Sequence, residues 1–351
     1  MKNNQTDQNL PEIVIKWYSQ NKRDLPWREN KEPYHIWLSE IMLQQTRVIT
    51  AIPYYKRFLL KFPTIAELAA ANEDQLYKLW EGLGYYTRAR NLWKAANIIM
   101  KEYGGIFPGE YEQILKLPGI GLYTAGAIAS ICFDKPVPAV DGNVLRVMAR
   151  MKNITGDLSV SVPAMKKAVI EELARIYPKS NCGDFTQGLI ELGATVCVPG
   201  DHPKCEECPV KSICNAFLNG TIHAIPLKKS SKTRKHEKIT VFVLVCGEKF
   251  AIRKREKKGL LSGLWEFPNF AVRMTSKQAI SAAADWNVKP EKIVKVAGKK
   301  HVFTHIEWDM LFYLIECNEQ PASFLWVNGE DLRKTYTIPV AFQFPDFYFE
   351  K

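Results

Sequence analysis

Four of the eight cysteines lie within eighteen residues, at Cys197, Cys205, Cys208 and Cys214. Their spacing is C-x7-C-x2-C-x5-C. Thiolates at this density are typical of a metal centre in a reducing compartment. Zinc also accepts four thiolates, but this is not the paired C-x2-C spacing of a zinc ribbon, so we favour a [4Fe–4S] cluster. The remaining cysteines are scattered and are interpreted as small buried hydrophobic residues.

Two acidic residues lie in apolar segments. Glu40 occurs in HIWLSEIMLQQTRV, where helical spacing gives it Ile36, Trp37 and Leu43 as neighbours. Burial would raise its pKa toward the value that a general acid needs near neutral pH. Asp141 occurs in PVPAVDGNVLRV, at the start of an apolar helix, where an N-cap is the structural alternative. From periodicity alone, catalytic and structural roles both remain open for the two carboxylates.

The stretch LPGIGLYTAG, residues 117–126, predicts a tight helical hairpin. Gly119 and Gly121 give the turn the backbone freedom to point successive amides outward at the start of the next helix. Such donors at a helix N-terminus bind phosphate without reading base sequence. Tyr123 stands just inside that second helix.

The elements that must position these residues are mostly helical up to residue 220. Apolar periodicity before residue 62 is broken at Pro53, and Pro63 ends it. Further helices are predicted at 73–80, 88–103, 110–116, 122–132, 141–151, 163–176 and 184–196.

The composition changes near residue 227. KKSSKTRKHEK, residues 228–238, has six Lys or Arg and no apolar residue, and it predicts a solvated linker, with DNA contact as the alternative. After it come a β-hairpin made by ITVFVLVC and FAIRKRE, a helix at 276–286 and three strands. These strands are predicted at 293–297, 300–304 and 308–316. We therefore predict a helical domain (1–226), a basic linker (227–238) and a smaller α+β domain (239–351).

The composition is that of a globular protein with a polyanionic partner. Apolar residues make up 46% and charged residues 24% of the chain, and the formal net charge is +11. Neither a signal peptide nor a membrane-spanning run is evident, so we expect an intracellular, cytoplasmic monomer that has no membrane partner.

Taken in order, the hairpin LPGIGLYTAGAI, the segment VDGNV and the four-cysteine loop resemble the helix-hairpin-helix DNA glycosylases that carry an iron–sulfur cluster. Within that superfamily, LPWR, SEIMLQQT and EGLGYYTRARNL are similar to adenine DNA glycosylases of the MutY type, as are GLWEFP and HVFTHIEW in the C-terminal part. The resemblance implies a helix-hairpin-helix glycosylase domain and a Nudix-like domain that senses 8-oxoguanine. The implied enzyme is bacterial, associates with the nucleoid and removes adenine from A:8-oxoguanine or A:G mispairs in duplex DNA.

Two positions depart from the pattern of that family. The first cysteine gap is seven residues where six are expected, and a loop can absorb the extra residue. The Phe-Ser-His of the family is Phe303-Thr304-His305 here, which retains the hydroxyl.

The resemblance also implies roles for individual residues. Glu40 would protonate adenine, Asp141 would stabilise the cationic sugar, and Asn143 would orient a carboxylate or water. Bifunctional relatives have a lysine at the position of Tyr123, so a tyrosine there implies a glycosylase without lyase activity.

The remaining implied residues contact DNA or the bases. The hairpin glycines Gly119 and Gly121 would hold phosphate, and Phe303, Thr304 and His305 would probe 8-oxoguanine, although a structural role for His305 is an alternative. The adenine pocket would contain Trp27, Arg28 and Gln187. Residues entering the duplex would be Leu43, Gln44, Gln45, Thr46 and Tyr85.

Three other functions fit the sequence less well. An endonuclease III-type enzyme for oxidised pyrimidines would be expected to carry the lysine at position 123. A Nudix pyrophosphohydrolase needs a glutamate-rich helix, and TSKQAISAAADW contains no glutamate. A non-catalytic DNA-binding module would not need both Glu40 and Asp141.

Overall fold

The computed structural model describes residues 9–154, 158–200, 202–225, 233–256 and 258–344. The chain divides into two compact units. The first comprises residues of 1–70 and 90–230, and the second comprises 71–89 with residues of 231–351. The sequence analysis placed residues 71–89 in the helical domain (1–226), whereas in the structure they belong to the second unit. These residues join the second unit through polar contacts, among them the Trp265 indole N–H donating to Asp74 at 2.9 Å.

The first unit is helical, as predicted. The helices of this part of the chain are α1 (Leu10–Asn21), α2 (Pro33–Leu43), α3 (Val48–Lys61), α4 (Ile65–Ala70), α5 (Glu73–Trp80), α6 (Thr87–Glu102), α7 (Tyr111–Leu115), α8 (Leu122–Phe133), α9 (Gly142–Met151), α10 (Leu158–Ile176), α11 (Cys182–Thr195) and α12 (Asn215–Leu218). Of these, all of α5 and the first three residues of α6 are assigned to the second unit.

Helix α11 is central to the first unit because it packs on α1, α8 and α9. Three of its glycines permit this close approach. A Cβ on Gly183 would lie 2.8 Å from the Cα of Ile131, and one on Gly188 would lie 2.6 Å from Val14 Cγ1. A Cβ on Gly193 would lie 2.6 Å from the Cβ of Asn143 in α9. Side chains at these positions would push the neighbouring helices away.

The second unit contains a mixed sheet, so the α+β prediction is confirmed. Its elements are β1 (Lys235–Cys246), β2 (Lys249–Lys254), β3 (Trp265–Glu266), β4 (Asn269–Phe270), α13 (Ser276–Asp285), β5 (Pro290–Val302), β6 (Ile306–Cys317), β7 (Leu325–Asn328) and α14 (Gly329–Lys334). The strand order is β3-β2-β1-β6-β5, with β4 beside β1 and β7 beside β2. Strands β1 and β6 are parallel, whereas β5 and β6 form an antiparallel hairpin.

Alternating residues of β1 supply two apolar layers. Val241 and Val243 belong to one buried cluster with Phe312 and Phe342. Phe242 and Leu244 belong to another, which includes Ala279 and Ala283 of α13. This two-residue period is what a strand buried on both faces requires.

Three local predictions were wrong. Helix α3 continues through Pro53, which is exposed, so water can reach the carbonyl that the proline leaves without its helical donor. The segments 293–297 and 300–304 are parts of the single strand β5, which ends at Val302. Residues 235–238 of the predicted linker are the start of β1, because main-chain pairing with β6 does not require apolar side chains. Residues 227–232, which form the rest of that linker except Thr233 and Arg234, lie outside the described residues.

Among the described residues, none of the helices combines the length and apolar character needed to cross a bilayer.

Candidate active site

Glu40 lies on α2 and is buried, with 9% of its surface exposed. Desolvation raises the pKa of this carboxyl to about 7. A hydrogen bond with the Tyr123 hydroxyl and the charge of Arg28 act in the opposite direction, while Asp141 adds to the increase. The side chain therefore retains a proton close to neutral pH, as a general acid must.

Asp141 is the N-cap of α9, as the structural alternative in the sequence analysis predicted. Its Oδ1 accepts a hydrogen bond from the Val144 amide at 2.8 Å, and its Oδ2 accepts one from the Asn143 side-chain amide at 2.9 Å. Burial raises the pKa of Asp141, whereas these donors lower it. A partly buried carboxylate that caps a helix keeps its negative charge, so it can also stabilise a positive charge that develops beside it.

Asn143 is fixed by a second contact as well as by Asp141. Its Oδ1 accepts a hydrogen bond from Arg146 Nη2 at 2.9 Å, and Arg146 Nε donates to the Cys197 carbonyl at 2.7 Å. Gly193 allows α11 to approach Asn143 closely. The amide of Asn143 is thus held on both sides.

The helical hairpin predicted at residues 117–126 is present between α7 and α8, and its binding of phosphate stays a prediction. Gly119 has φ +79°, and a Cβ there would lie 2.7 Å from the Cβ of Asn91. Gly121 is the N-cap of α8, and no side-chain hydrogen bond caps that helix. The first amides of α8 therefore remain available as donors to an anion.

Trp27, Arg28 and Gln187 all belong to the first unit. Trp27 is buried in the turn Pro26–Arg28, with its ring edge-on to Tyr55 at 5.5 Å between centroids. Gln187 lies on α11, one turn before Glu191. The Arg28 guanidinium donates to Glu191 Oε2 at 2.9 Å.

Glu191 was not singled out from the sequence. The available signal was a carboxylate within the apolar helix segment LIELGATV, which is the same signal that identified Glu40.

The predicted duplex-entering residues of the first unit occur at the end of α2. Leu43 is its last residue, and Gln44 Nε2 donates to Thr124 Oγ1 at 3.5 Å. Gln45 is exposed and has φ +57°, which is uncommon for a residue other than glycine. Thr46 donates to the Gln44 carbonyl at 3.4 Å. A strained residue at an exposed turn is often associated with function.

Tyr85 and the Phe303-Thr304-His305 segment belong to the second unit. Tyr85 has φ +48° and is 48% exposed. Its hydroxyl forms a hydrogen bond with Thr304 Oγ1 at 2.9 Å, a contact that was not predicted from the sequence. The segment is the turn between β5 and β6, in which Thr304 and His305 are exposed. The Phe303 ring packs edge-on against Trp308 at 4.8 Å between centroids.

The four clustered cysteines line a single cavity, together with residues such as Val147, Leu192 and Ile222. Asp201 of this loop lies outside the described residues, and within the described ranges no three His, Cys, Asp or Glu side chains meet closely enough to hold one metal ion. Four sulfurs around a cavity fit a group larger than a single ion, and thiolates are the usual ligands of iron–sulfur clusters. Arg150 Nη1 donates to Cys197 Sγ at 3.4 Å, which would stabilise a thiolate.

Lysines of the cysteine loop are paired with acidic neighbours. Lys204 Nζ lies 3.5 Å from Glu207 Oε2, and Lys211 pairs with Glu206. Their net contribution to phosphate binding is therefore reduced relative to free lysines.

Comparisons with known proteins agree with this arrangement. The profile described as HhH-GPD superfamily base excision DNA repair protein matches residues 38–179, and a NUDIX domain profile matches 240–343. An adenine DNA glycosylase of Buchnera aphidicola subsp. Acyrthosiphon pisum is 42% identical over 74% of this chain and 73% of its own length. The adenine DNA glycosylase of Homo sapiens is 32% identical over 91% of this chain and 70% of its own length.

A solved structure of a thermostable thymine-DNA glycosylase is similar to 62% of this chain and to 100% of its own chain, with 27% identity and a TM-score of 0.56. A trapped endonuclease III–DNA intermediate shares the fold, with a TM-score of 0.52 and 24% identity over 62% of this chain and 97% of its own. The chain belongs to the adenine DNA glycosylase family, of the MutY type, within the helix-hairpin-helix superfamily of base-excision DNA repair proteins.

Proposed function

We propose that this protein hydrolyses the N-glycosidic bond of adenine mispaired with 8-oxoguanine, or with guanine, in duplex DNA. The observation that carries the proposal is a pair of carboxylates in different environments. Glu40 is buried with a pKa near 7, whereas Asp141 is held by amide donors at the start of α9. One carboxyl that keeps its proton and one that can carry negative charge are what glycoside hydrolysis requires.

The reaction begins with the adenine outside the base stack, because the target bond cannot be reached in a paired duplex. Trp27, Arg28 and Gln187 form the pocket for the base. Glu40 then donates its proton to N7 of adenine, which makes the base a better leaving group. The Tyr123 hydroxyl orients the Glu40 carboxyl through their hydrogen bond.

As the bond to adenine breaks, positive charge develops on the sugar. Asp141 stabilises that charge, and Asn143 keeps the Asp141 carboxylate oriented. Water adds to C1′ of the sugar and gives its proton to the Glu40 carboxylate, which restores the starting protonation state. Since Tyr123 carries no amine, no Schiff base forms, and the DNA strand is left uncut.

The amides at the start of α8, with Gly119 and Gly121 in the preceding turn, hold a backbone phosphate of the DNA. Leu43, Gln44, Gln45 and Thr46 enter the duplex beside the mispair. The protein acts as a monomer on the nucleoid, in the cytoplasm of a bacterial cell.

Recognition of 8-oxoguanine falls to the second unit. Tyr85 inserts beside the lesion, and Thr304 presents its hydroxyl to the modified base with Phe303 and His305 on either side of it. The Tyr85–Thr304 hydrogen bond supports this assignment because it ties the two recognition elements together.

Cys197, Cys205, Cys208 and Cys214 hold a [4Fe–4S] cluster. Such a cluster, when bound, would tie together the parts of the loop that carry these four cysteines. Anaerobically purified protein should contain about four iron and four sulfide per chain. Cys205→Ser should lower both contents, while Cys246→Ser, in the second unit, should not. Stoichiometric zinc without sulfide would contradict the cluster.

The substrate is tested by single-turnover release of base from three duplexes. We expect rapid adenine release opposite 8-oxoguanine, slower release opposite guanine, and no release of thymine glycol. Preferential release of thymine glycol with strand cleavage would instead favour the endonuclease III-type function.

A further inference from the structure

Glu191 is the most completely enclosed carboxylate of the first unit's described part, with none of its side chain exposed. Arg23 Nε donates to its Oε1 at 2.6 Å, and the Arg23 main-chain amide donates to the same oxygen at 3.1 Å. Its Oε2 accepts from Arg23 Nη2 and from Arg28 Nη2, both at 2.9 Å. Two guanidinium groups and one amide therefore surround a single carboxylate.

The same arrangement fixes Arg28. Its Nη1 donates to the Arg23 carbonyl at 3.0 Å while its Nη2 donates to Glu191, and the guanidinium lies 5.4 Å from the centre of the Tyr18 ring. Only 10% of the Arg28 side chain is exposed. A planar guanidinium held at two nitrogens and over one ring has little freedom to rotate.

A buried ion pair of this kind is expensive to desolvate, so stability alone is a weak reason for its presence. Although burial by itself would raise the pKa of Glu191, hydrogen bonds from Arg23 and Arg28 lower it to about 2. The carboxylate thus stays ionised at every pH at which the enzyme would work, and it presents a constant partner to Arg28.

Arg28 in turn affects the proposed general acid. Its positive charge lowers the pKa of Glu40, against desolvation and the charge of Asp141, both of which raise that pKa. Glu191 is also one helical turn from Gln187 on α11. The carboxylate that holds Arg28 therefore lies on the same face of α11 as Gln187, another of the predicted pocket residues.

We propose that Glu191 is a positioning residue of the adenine pocket, which holds the Arg28 guanidinium where it contacts the base and acts on Glu40. Arg23 completes the coordination of the carboxylate and leaves Arg28 with further N–H groups for the base. This role rests on the proposed function for the identity of the base, but the effect on Glu40 does not require substrate.

Besides desolvation, the pKa of Glu40 can be changed only by the charged and titratable groups near it and near Glu191. Glu40 faces Tyr123 and Cys132 of α8, Asp141 at the start of α9, and Arg28. Glu191 faces Arg23 and Arg28, and Tyr18 and Asp184 lie nearby. Since the pKa of Tyr18 is about 12, this ring stays neutral across the working range.

The test replaces Glu191 with glutamine, which preserves size but removes the negative charge. Carbon-13 NMR of labelled glutamate carboxyls would follow the titration of Glu40, assigned by its loss in Glu40→Gln. We expect Glu191→Gln to raise the pKa of Glu40 by about half a unit or more, because Arg28 is no longer held near it. Single-turnover adenine release should fall at least about tenfold, whereas binding of the mispaired duplex should change less than about threefold.

Two further variants separate positioning from stability. Glu266 offers a matched control, since it is 3% exposed and pairs with Arg253 and Arg255 in the second unit. Glu266→Gln should lower the thermal midpoint without shifting the titration of Glu40. Arg28→Gln should shift that titration in the same direction, and the double variant Glu191→Gln/Arg28→Gln should shift it no further.

An unchanged Glu40 titration in Glu191→Gln, or additive shifts in the double variant, would overturn the positioning role. Because the titration needs no substrate, it decides the matter even if the wild-type protein releases no adenine. That last result would contradict the proposed function alone.

Discussion

Two carboxyls of the same chemical type acquire different properties from their immediate neighbours. Glu40 is surrounded by apolar residues of α2 and hydrogen-bonds to Tyr123, whereas Asp141 receives donors from Val144 and Asn143. The difference follows from position, because a helix interior offers no free amides and a helix N-terminus offers several. The division of labour that we propose, between a general acid and an electrostatic stabiliser, would thus have a local origin.

The two carboxyls are expected to be individually essential. Glu40→Gln retains hydrogen bonding but cannot donate the proton, and Asp141→Asn retains an N-cap without the negative charge. Each should lower the single-turnover rate of adenine release by several powers of ten, which corresponds to about 3–5 kcal/mol of transition-state stabilisation. Quenched-flow release assays, with duplex affinity measured in parallel as the control, provide the check. Adenine release near the wild-type rate in either variant would remove this pair from the mechanism.

Glu40 should also make the folded state less stable at high pH. Its pKa is about 7 in the folded chain, against 4.5 as the ordinary value. Below pH 4.5 both states hold the proton, and as pH rises through 7 the folded state must ionise a buried carboxyl. Stability from this group is therefore complete below the unfolded pKa and is lost as pH passes through the folded pKa.

Glu40→Gln removes that loss, so it should be more stable than the wild type at pH 8 by on the order of 3 kcal/mol. The difference should shrink toward zero near pH 4.5. Denaturant unfolding at the two pH values measures it, and Glu172→Gln, which breaks a half-buried pair with Lys152, is the control. Equal stability of Glu40→Gln and wild type at pH 8 would show that Glu40 is not significantly desolvated.

At the scale of elements, α11 organises the site without contributing much chemistry itself. Its glycines let α1, α8 and α9 approach, and Glu191 on the same helix fixes Arg28. Because a helix surface covered by side chains would keep its neighbours farther apart, the position of Asn143 depends on a missing side chain.

Gly193→Ala tests that dependence. The new methyl would overlap Asn143, whose Cβ and main-chain carbon lie 2.6 and 3.0 Å from its position. We expect a loss of roughly 1–3 kcal/mol in unfolding free energy, together with a larger relative loss in adenine release than in duplex affinity. Gly298→Ala is the matched control, since a Cβ there would meet, beyond its own chain neighbours, only the Met310 carbonyl oxygen at 4.0 Å. Full activity in Gly193→Ala would mean that α9 can shift without consequence.

The sequence predicted elements whose signals are local. The helix predicted at 73–80 is α5, because an Asn72 cap and apolar periodicity coincide there. The parallel pairing of β1 with β6 could not be predicted in the same way, since the partners are about seventy residues apart and the residues of a strand do not specify which strand it pairs with. The Tyr85–Thr304 contact, 219 residues apart, and the Arg23–Glu191 contact, 168 apart, have no local signal for the pair.

The sequence singles out candidate site residues that lie in recognisable motifs, but it does not reveal the residues that hold them in place. Glu40, Asp141 and the cysteines stand in segments with recognisable spacing or company. Arg146, which joins Asn143 to the Cys197 carbonyl, occurs in an ordinary amphipathic helix, where an arginine usually faces solvent. Residues such as Arg146 acquire their role from contacts that form only when the chain folds.

At the scale of the whole molecule, the net charge of +11 concerns the partner more than the fold. Many surface cations are already neutralised, for example Lys167 by Glu171, Lys289 by Glu319 and Lys334 by Glu330. The basic stretch at 228–238 has six Lys or Arg against one Glu, so it is a candidate for additional phosphate contacts, although Lys235 pairs with Glu237 at 2.7 Å.

Charge neutralisation of this stretch tests whether it contacts DNA. Replacing its six basic residues with glutamine lowers the net charge by six while preserving chain length; they are Lys228, Lys229, Lys232, Arg234, Lys235 and Lys238. Each cation that contacts a phosphate contributes about 0.9 to the slope of log affinity against log salt, so we expect the magnitude of the slope to fall by about 2 or more. The matched control removes six cations that pair with carboxylates, namely Lys167, Arg175, Arg273, Lys289, Lys292 and Lys334.

Titration of both variants with a mispaired duplex at several salt concentrations separates a general charge effect from specific contacts. A general effect of net charge would reduce the slope equally in the two proteins, whereas phosphate contacts by the stretch would reduce it more in the first. A slope that equals the control, or the wild type, would mean that residues 228–238 act only as a solvated connection. In that case phosphate contacts would have to come from other parts of the chain, such as the hairpin before α8, where the first amides of that helix and the exposed Lys116 occur.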